Sequence, residues 1–361
     1  MLEARIAALE GGTAALAVAS GHAAEFLVFH TLLQPGDEFI ASKKLYGGSI
    51  NQFNHSYKSF DWRVKWADTD DLSTFEAVLS PKTKAIFVES IANPGGVVTD
   101  IAAIAAIAKK ANVPLIVDNT LATPYLIKPF EHGANIIVHS ATKFLGGHGN
   151  SIGGLIVDGG NFDYVKSGKY PLLSTPRPEY NGLVIGETFG NFSFAIAARV
   201  LGLRDLGPAL SPFNAFLILT GIETLPLRMQ KHSDNALAVA KHLQKHPAIA
   251  WVSYPGLEGD KYHALAKRYT PKGAGAVFTF GLKDGYEAGI KLVSNLKLFS
   301  HLANVGDTRS LVIHPASTTH RQLSDEQKTI AGAGPDVVRI SVGIEDAADI
   351  IADLDQALAA K

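Results

Sequence analysis

Cysteine is absent from the 361 residues, which excludes a disulfide framework, a cysteine nucleophile and any thiolate metal site, and agrees with a reducing compartment. A dominant charge is absent too. Thirty-three Lys and Arg stand against 34 Asp and Glu, a formal charge of −1, so no basic field exists to hold nucleic acid or an anionic membrane. The longest purely aliphatic run, residues 101–108, falls far short of the ~20 residues that span a bilayer. Near the start, Glu3 and Glu10 offset Arg5, which denies that segment the basic flank of a secretory signal. Neither a Walker-type phosphate loop nor a dinucleotide glycine fingerprint after a strand occurs, so ATP and NAD lose their usual warrants. The expectation is a cytoplasmic protein without a membrane segment or a nucleic-acid partner.

At 47% hydrophobic and 19% charged, a chain of this length can bury more than one core, and two domains are expected. Short β-branched runs ending in polar residues recur at 85–89, 115–118, 135–139 and 154–158, and read as buried parallel strands. Between the first two, Asp100 is placed to cap a helix, apolar residues follow at helical spacing, Lys109 and Lys110 suit the C-terminal dipole, and Pro114 stops it. Such βαβ units wind right-handed into a parallel sheet flanked by helices, with ligands beyond the carboxyl ends of the strands. Glu89, Asp118 and the residues after His139 fall at those ends. From Ser211 one long helical stretch, then strand-like 276–282, helical 286–296, strand-like 339–343 and a last helix read as a smaller α+β domain. The expected division is 1–232 and 233–361.

The densest chemistry lies in Ser140-Ala-Thr142-Lys143-Phe-Leu-Gly-Gly-His-Gly149, directly after a predicted strand. A lysine is ordinarily a solvated surface residue. Here two hydroxyls flank it, and the glycines after it let backbone approach a ligand. An amine so placed suits a Schiff base with a carbonyl cofactor. Asp118, ending an apolar strand, would by itself pass for a loop or capping residue. Paired with Lys143 it acquires a specific role, because a buried carboxylate keeps a pyridine nitrogen protonated, so that the ring can take up electrons from a carbanion. Pyridoxal 5'-phosphate needs both. Its phosphate finds a candidate cradle at Gly21 and His22, whose amides open a predicted helix. Arg339 sits in a strand-like apolar run, where a charge needs a partner such as a substrate carboxylate. His314 and His320 lack the spacing of a zinc helix, and no metal is expected. The sequons at Asn54 and Asn191 are expected to be unmodified.

The ordered set LEARIAALEGG, ASGHAA, LYGGS, ESIANPGG, VDNTLATPYL, HSATKFLGGHG, HPASTTH and VRISVGIED resembles the pyridoxal-phosphate enzymes of cysteine and methionine metabolism, from residue 1 to the C-terminus. The resemblance implies an α/β protein of the type I (aspartate aminotransferase-like) fold, with a mainly parallel sheet flanked by helices and a smaller C-terminal α+β domain. It implies that Lys143 bonds the cofactor, that Asp118 holds the ring nitrogen, and that Tyr46 stacks on the ring and assists elimination. It puts Gly21, His22, Ser140 and Thr142 around the phosphate, Asn93 near the ring hydroxyl, and Arg339 on the substrate carboxylate with Asn304 beside it. The stretch from 173 to 229 is most similar to the branch that acts on O-acetylhomoserine, and Gly48 stands where methionine γ-lyases typically carry Cys. That branch replaces acetate at Cγ with sulfide or a thiol, giving homocysteine or methionine, and the implied assembly is a homotetramer built from dimers. Beside it stand a cystathionine γ-synthase or γ-lyase of the same fold, and a non-catalytic assembly partner. Family members carry an N-terminal arm whose Tyr-x-Arg reaches a neighbouring subunit's phosphate. No such motif occurs near Met1, so part of that site is expected to be missing. His22 replaces a more usual Gln, a change that backbone binding of phosphate tolerates.

Overall fold

Seven strands form the larger sheet in the computed structural model, which describes residues 1–319, 321, 324, 326, 328 and 332–359; His320 lies outside them. These strands are β1 (Ala14–Val18), β2 (Glu38–Ser42), β3 (Arg63–Ala67), β4 (Thr83–Glu89), β5 (Leu115–Asp118), β6 (Ile136–Ser140) and β7 (Gly154–Asp158), in the order β1-β7-β6-β5-β4-β2-β3. From β6 through β3 every pairing is parallel. The run at 154–158 departs from the parallel expectation: β7 pairs antiparallel with both β6 and β1. A parallel return needs a crossover, usually helical, and the connection from 141 to 153 contains only turns and bends.

Helices α1 (Leu2–Glu10), α2 (Gly21–Leu32), α3 (Gly47–Asn54) and α4 (Ile101–Lys110) belong with this sheet. Helix α4 forms as its spacing predicts. Asp100 accepts from the Ala103 amide at 3.2 Å, and Ile101, Ile104, Ile107 and Ala108 are its buried face. Under α2 lies an aromatic cluster in which Phe29 and Phe39 are 4.2 Å apart between ring centroids, while Phe39 and Phe87 each meet Phe53 edge-on. Edge-to-face packing of this kind adds to what area burial alone provides.

The chain divides into two units. Unit 1 comprises residues 1–90, 99–146 and 150–220; unit 2 comprises 91–98, 147–149 and 221–361. The long helical stretch expected after Ser211 is two helices, α5 (Pro212–Glu223) and α6 (Leu225–Leu243). The break falls at Thr224, because Pro226 lacks the N–H that would continue the ladder and is tolerated only in a first turn. Unit 2 has a five-stranded sheet of β8 (Ile249–Ser253), β9 (Val277–Leu282), β10 (Ser300–His301), β11 (Leu311–Ile313) and β12 (Val337–Ser341), in the order β8-β9-β12-β11-β10. Helices α7 (Gly285–Asn295) and α8 (Ala347–Ala359) complete it. His314 is structural, its two ring nitrogens meeting Ser317 Oγ at 2.9 Å and the Pro335 carbonyl at 2.8 Å. Among the described residues no helix is long and apolar enough to cross a membrane.

Candidate active site

Unit 1 gathers its candidate residues at the carboxyl ends of β5 and β6 and at the start of α2. The Ser20 hydroxyl caps α2 by accepting from the Ala23 amide at 3.1 Å. The amides of Gly21 and His22, in the first turn, have no intrahelical acceptor. Gly21 is glycine for a spatial reason: a Cβ there would lie 2.8 Å from Ser140 Cβ. The last residue of β6 is thereby brought against the helix end. The Ser140 amide donates to Thr120 Oγ1 at 2.8 Å, and the Thr120 amide donates to Asp118 Oδ1 at 2.8 Å. Two neighbouring strand ends are thus tied through one threonine. The Thr142 hydroxyl faces its own loop, accepting from the Gly153 amide at 3.1 Å. Lys143 follows in the same turn, its amide donating to the Ser140 carbonyl at 3.1 Å.

Burial raises the Asp118 carboxyl above its ordinary range, while its bonds from Thr120 and the nearby His139 and His22 pull it back. Burial lowers His22, against the pull of Asp118. The His22 ring also stacks on Tyr46, centroids 5.8 Å apart and planes 27° from parallel. Beyond its backbone, then, His22 contributes a ring beside the candidate stacking residue. The Tyr46 amide donates to Glu89 Oε1 at 2.5 Å. A Cβ on Gly48 would overlap the Tyr46 ring and lie 2.9 Å from the His22 ring, so a side chain there would require the half-exposed Tyr46 ring to move.

Glu10, His139 and Asn119 are buried groups at this end to which sequence reasoning assigns no role. The Glu10 carboxylate, at the end of α1, meets His139 Nε2 at 2.6 Å and accepts from Asn119 Nδ2 at 2.9 Å; Asn119 accepts in turn from the Ser90 hydroxyl at 2.8 Å. These partners are as much as 129 residues apart, and the only sequence hint is that Asn119 and His139 adjoin strand ends. Glu25 is a fourth such group, buried on α2 and accepting from the Ser49 hydroxyl at 2.7 Å.

In unit 2, Arg339 on β12 donates through one terminal nitrogen to Asn93 Oδ1 and through the other to the Asn304 carbonyl, both at 3.1 Å. The three residues singled out in this unit therefore stand together.

The unit 1 cluster suits a ligand with an anion at one end and a basic ring nitrogen at the other. The Ser140 hydroxyl has no hydrogen-bond partner among the described residues, and it stands beside open helix amides as a phosphate requires. A buried carboxylate next to an amine-bearing turn suits a protonated pyridine.

The chain matches the family described as Cys/Met metabolism PLP-dependent enzyme over residues 1–359. It is 50% identical to an O-acetyl-L-homoserine sulfhydrylase of Leptospira meyeri, over 99% of this chain and 83% of that one. To O-acetyl-L-homoserine sulfhydrylase 1 of Thermus thermophilus it is 51% identical, over 99% and 86%. The homocysteine/cysteine synthase of Saccharomyces cerevisiae is 47% identical, over 99% and 83%. Among solved structures, a putative O-acetylhomoserine (thiol)-lyase of Campylobacter jejuni, which carries a pyridoxyl-lysine monophosphate, superposes with a TM-score of 0.95 at 41% identity, over 99% of this chain and 86% of that one.

Proposed function

The chain belongs to the Cys/Met metabolism PLP-dependent enzymes, and we propose that it catalyses γ-replacement on O-acetylhomoserine: acetate leaves Cγ and sulfide or a thiol takes its place, giving homocysteine or methionine. The observation that carries this reading is the joining of Asp118, Thr120 and Ser140 beside the α2 amides and the Lys143 turn, in a chain half identical to O-acetyl-L-homoserine sulfhydrylases. Pyridoxal phosphate, when bound, supplies an electron sink conjugated to the substrate's α-carbon.

The protein's own groups do the rest. Gly21 and His22 amides and the Ser140 hydroxyl hold the phosphate, and the Thr142 hydroxyl joins them by turning from its own loop, where it meets Gly153. Asp118 keeps the proton on the ring nitrogen. Lys143 Nζ would hold the cofactor's carbonyl carbon and, with its amine free, would take the proton from Cα and carry protons along the substrate chain. Tyr46 covers the ring and assists departure of acetate. Asn93 serves the ring hydroxyl, and Arg339 receives the substrate carboxylate in its two-pronged guanidinium, with Asn304 beside it. The working assembly is a homotetramer in the cytoplasm. Exposed Phe213 and Phe216 offer apolar surface for a partner subunit, and the absence of cysteine fits a reducing compartment.

The test is sulfide-dependent formation of homocysteine from O-acetylhomoserine by the purified chain loaded with pyridoxal phosphate, with light scattering for the assembly. Preference for cysteine over sulfide would make it a cystathionine synthase, and keto-acid release without an acceptor a γ-lyase. Inactivity towards every acceptor in a loaded chain would overturn the catalytic reading.

A further inference from the structure

Tyr46 is 49% exposed, too open for core packing to fix its ring. The segment bearing it is nevertheless tied down by two buried carboxyl groups. Glu89, 5% exposed at the end of β4, takes the Tyr46 amide at 2.5 Å. Glu25, 3% exposed on α2, takes the hydroxyl of Ser49, three residues on in α3, at 2.7 Å. A further tie runs from Gln52 Nε2 to the His22 carbonyl at 3.3 Å, and the missing side chain of Gly48 lets the Tyr46 ring settle beside His22.

Burying two carboxyl groups is costly, and an ordinary turn needs neither. Glu25 Oε2 is buried without a hydrogen-bond partner, as is the Tyr57 hydroxyl, so the site accepts unsatisfied polar atoms to keep Glu25 in place. Burial, then repulsion from Asp118 and Glu89, push the Glu25 carboxyl well above the usual range, and the Ser49 bond only partly offsets them. Burial thus favours the neutral form of Glu25, which accepts the Ser49 hydroxyl.

We propose that Glu25 and Glu89 are positioning residues for Tyr46, Glu89 through the Tyr46 amide and Glu25 through Ser49, together fixing the angle at which the phenol ring covers the cofactor. The inference rests on the cofactor reading above. Its residues all lie in unit 1.

The experiment compares wild type with Glu25→Ala, Ser49→Ala and Glu25→Gln, each loaded with pyridoxal phosphate. Visible circular dichroism reads the asymmetric stacking of the cofactor, borohydride fixation reads its attachment to Lys143, and thermal melting is the control for folding. A tilted Tyr46 should cut the dichroic band by half or more in Glu25→Ala and Ser49→Ala, with fixation unchanged. In the same variants kcat should fall about tenfold with KM within twofold. Glu25→Gln, which keeps an acceptor for Ser49, should recover most of the band. Alanine variants that melt like wild type and keep the full band would overturn the proposal, as would a band that follows melting temperature in all three variants. A wild-type chain that takes up no cofactor would overturn both this inference and the cofactor reading; normal loading with an unchanged band would overturn this one alone.

Discussion

The two units bury different mixes of ionisable groups. In unit 1 carboxyls predominate: Glu10, Glu25, Glu38, Glu89 and Asp158 are buried beside the base His139, with Asp118 half-buried. Burial raises Glu25, Asp118 and Asp158, the last to about 6. Unit 2 buries Asp307 and Asp353 together with the bases Arg228, His232 and His314. Burial lowers Arg228 to about 10 and His232 to about 4, and Arg339 stands on an inner strand between two asparagines. Burial thus favours the neutral acid at Asp158 and the neutral base at His232, so the two interiors should respond to pH in opposite directions.

The largest expected effect tests the unit 1 side. Lys143→Ala should lower kcat/KM by roughly 10³-fold or more, since it removes both the covalent attachment and the proton carrier, and borohydride should then fix no cofactor. Loss confined to substrate affinity would contradict the assignment.

Next come the pH slopes, which should have opposite signs. Asp158 takes the Gly160 and Ala195 amides at 2.9 and 3.1 Å, yet its folded pKa of about 6 exceeds an unfolded value of about 3.9. Its stabilising effect is complete below pH ~4 and is lost as pH rises through ~6, on the order of 3 kcal/mol. His232, whose Nδ1 meets the Val342 carbonyl at 2.7 Å, is depressed to about 4 from about 6.5. Its effect is complete above pH ~6.5 and is lost as pH falls through ~4, by a similar amount. Urea unfolding across pH 4 to 7 should show Asp158→Asn flattening the alkaline-side loss and His232→Asn the acid-side loss. The same slope in both variants would end the contrast between the units.

Arg339→Lys keeps the charge but loses the planar fork. It should cost ~1.5–3 kcal/mol in kcat/KM, carried by KM, while cofactor uptake measured by absorbance stays at the wild-type level. The smallest effect is expected from Asp100→Ala, which removes one helix cap and should lower stability by ~1 kcal/mol without touching kcat.

The sequence makes Lys143 and Asp118 legible because each directly follows or ends an apolar run, and a strand end is where α/β sheets present ligands. Helix α4 is legible because its cap, its period and its stop agree. Strand β1 is not: AALAV is mostly alanine, a weak strand former, and its place is set by pairing with β7. Nor is the antiparallel sense of β7, since LIVD-like runs look alike in either direction and the partner strand decides. The Glu10–His139 pair and the Glu25–Ser49 bond are invisible for a related reason. They join residues 129 and 24 positions apart that share no local pattern, and a buried acid on a helix looks in sequence like any solvated one.

Thr120 reaches Asp118 through its amide and Ser140 through its hydroxyl, so the span between the two groups is gauged across adjacent strands and not along the chain that joins them. That joining chain, residues 121–135, therefore does not by itself set the distance a rigid cofactor must bridge. A lineage could vary the exposed turn at 131–133 and still keep the same fit, provided that one threonine stays.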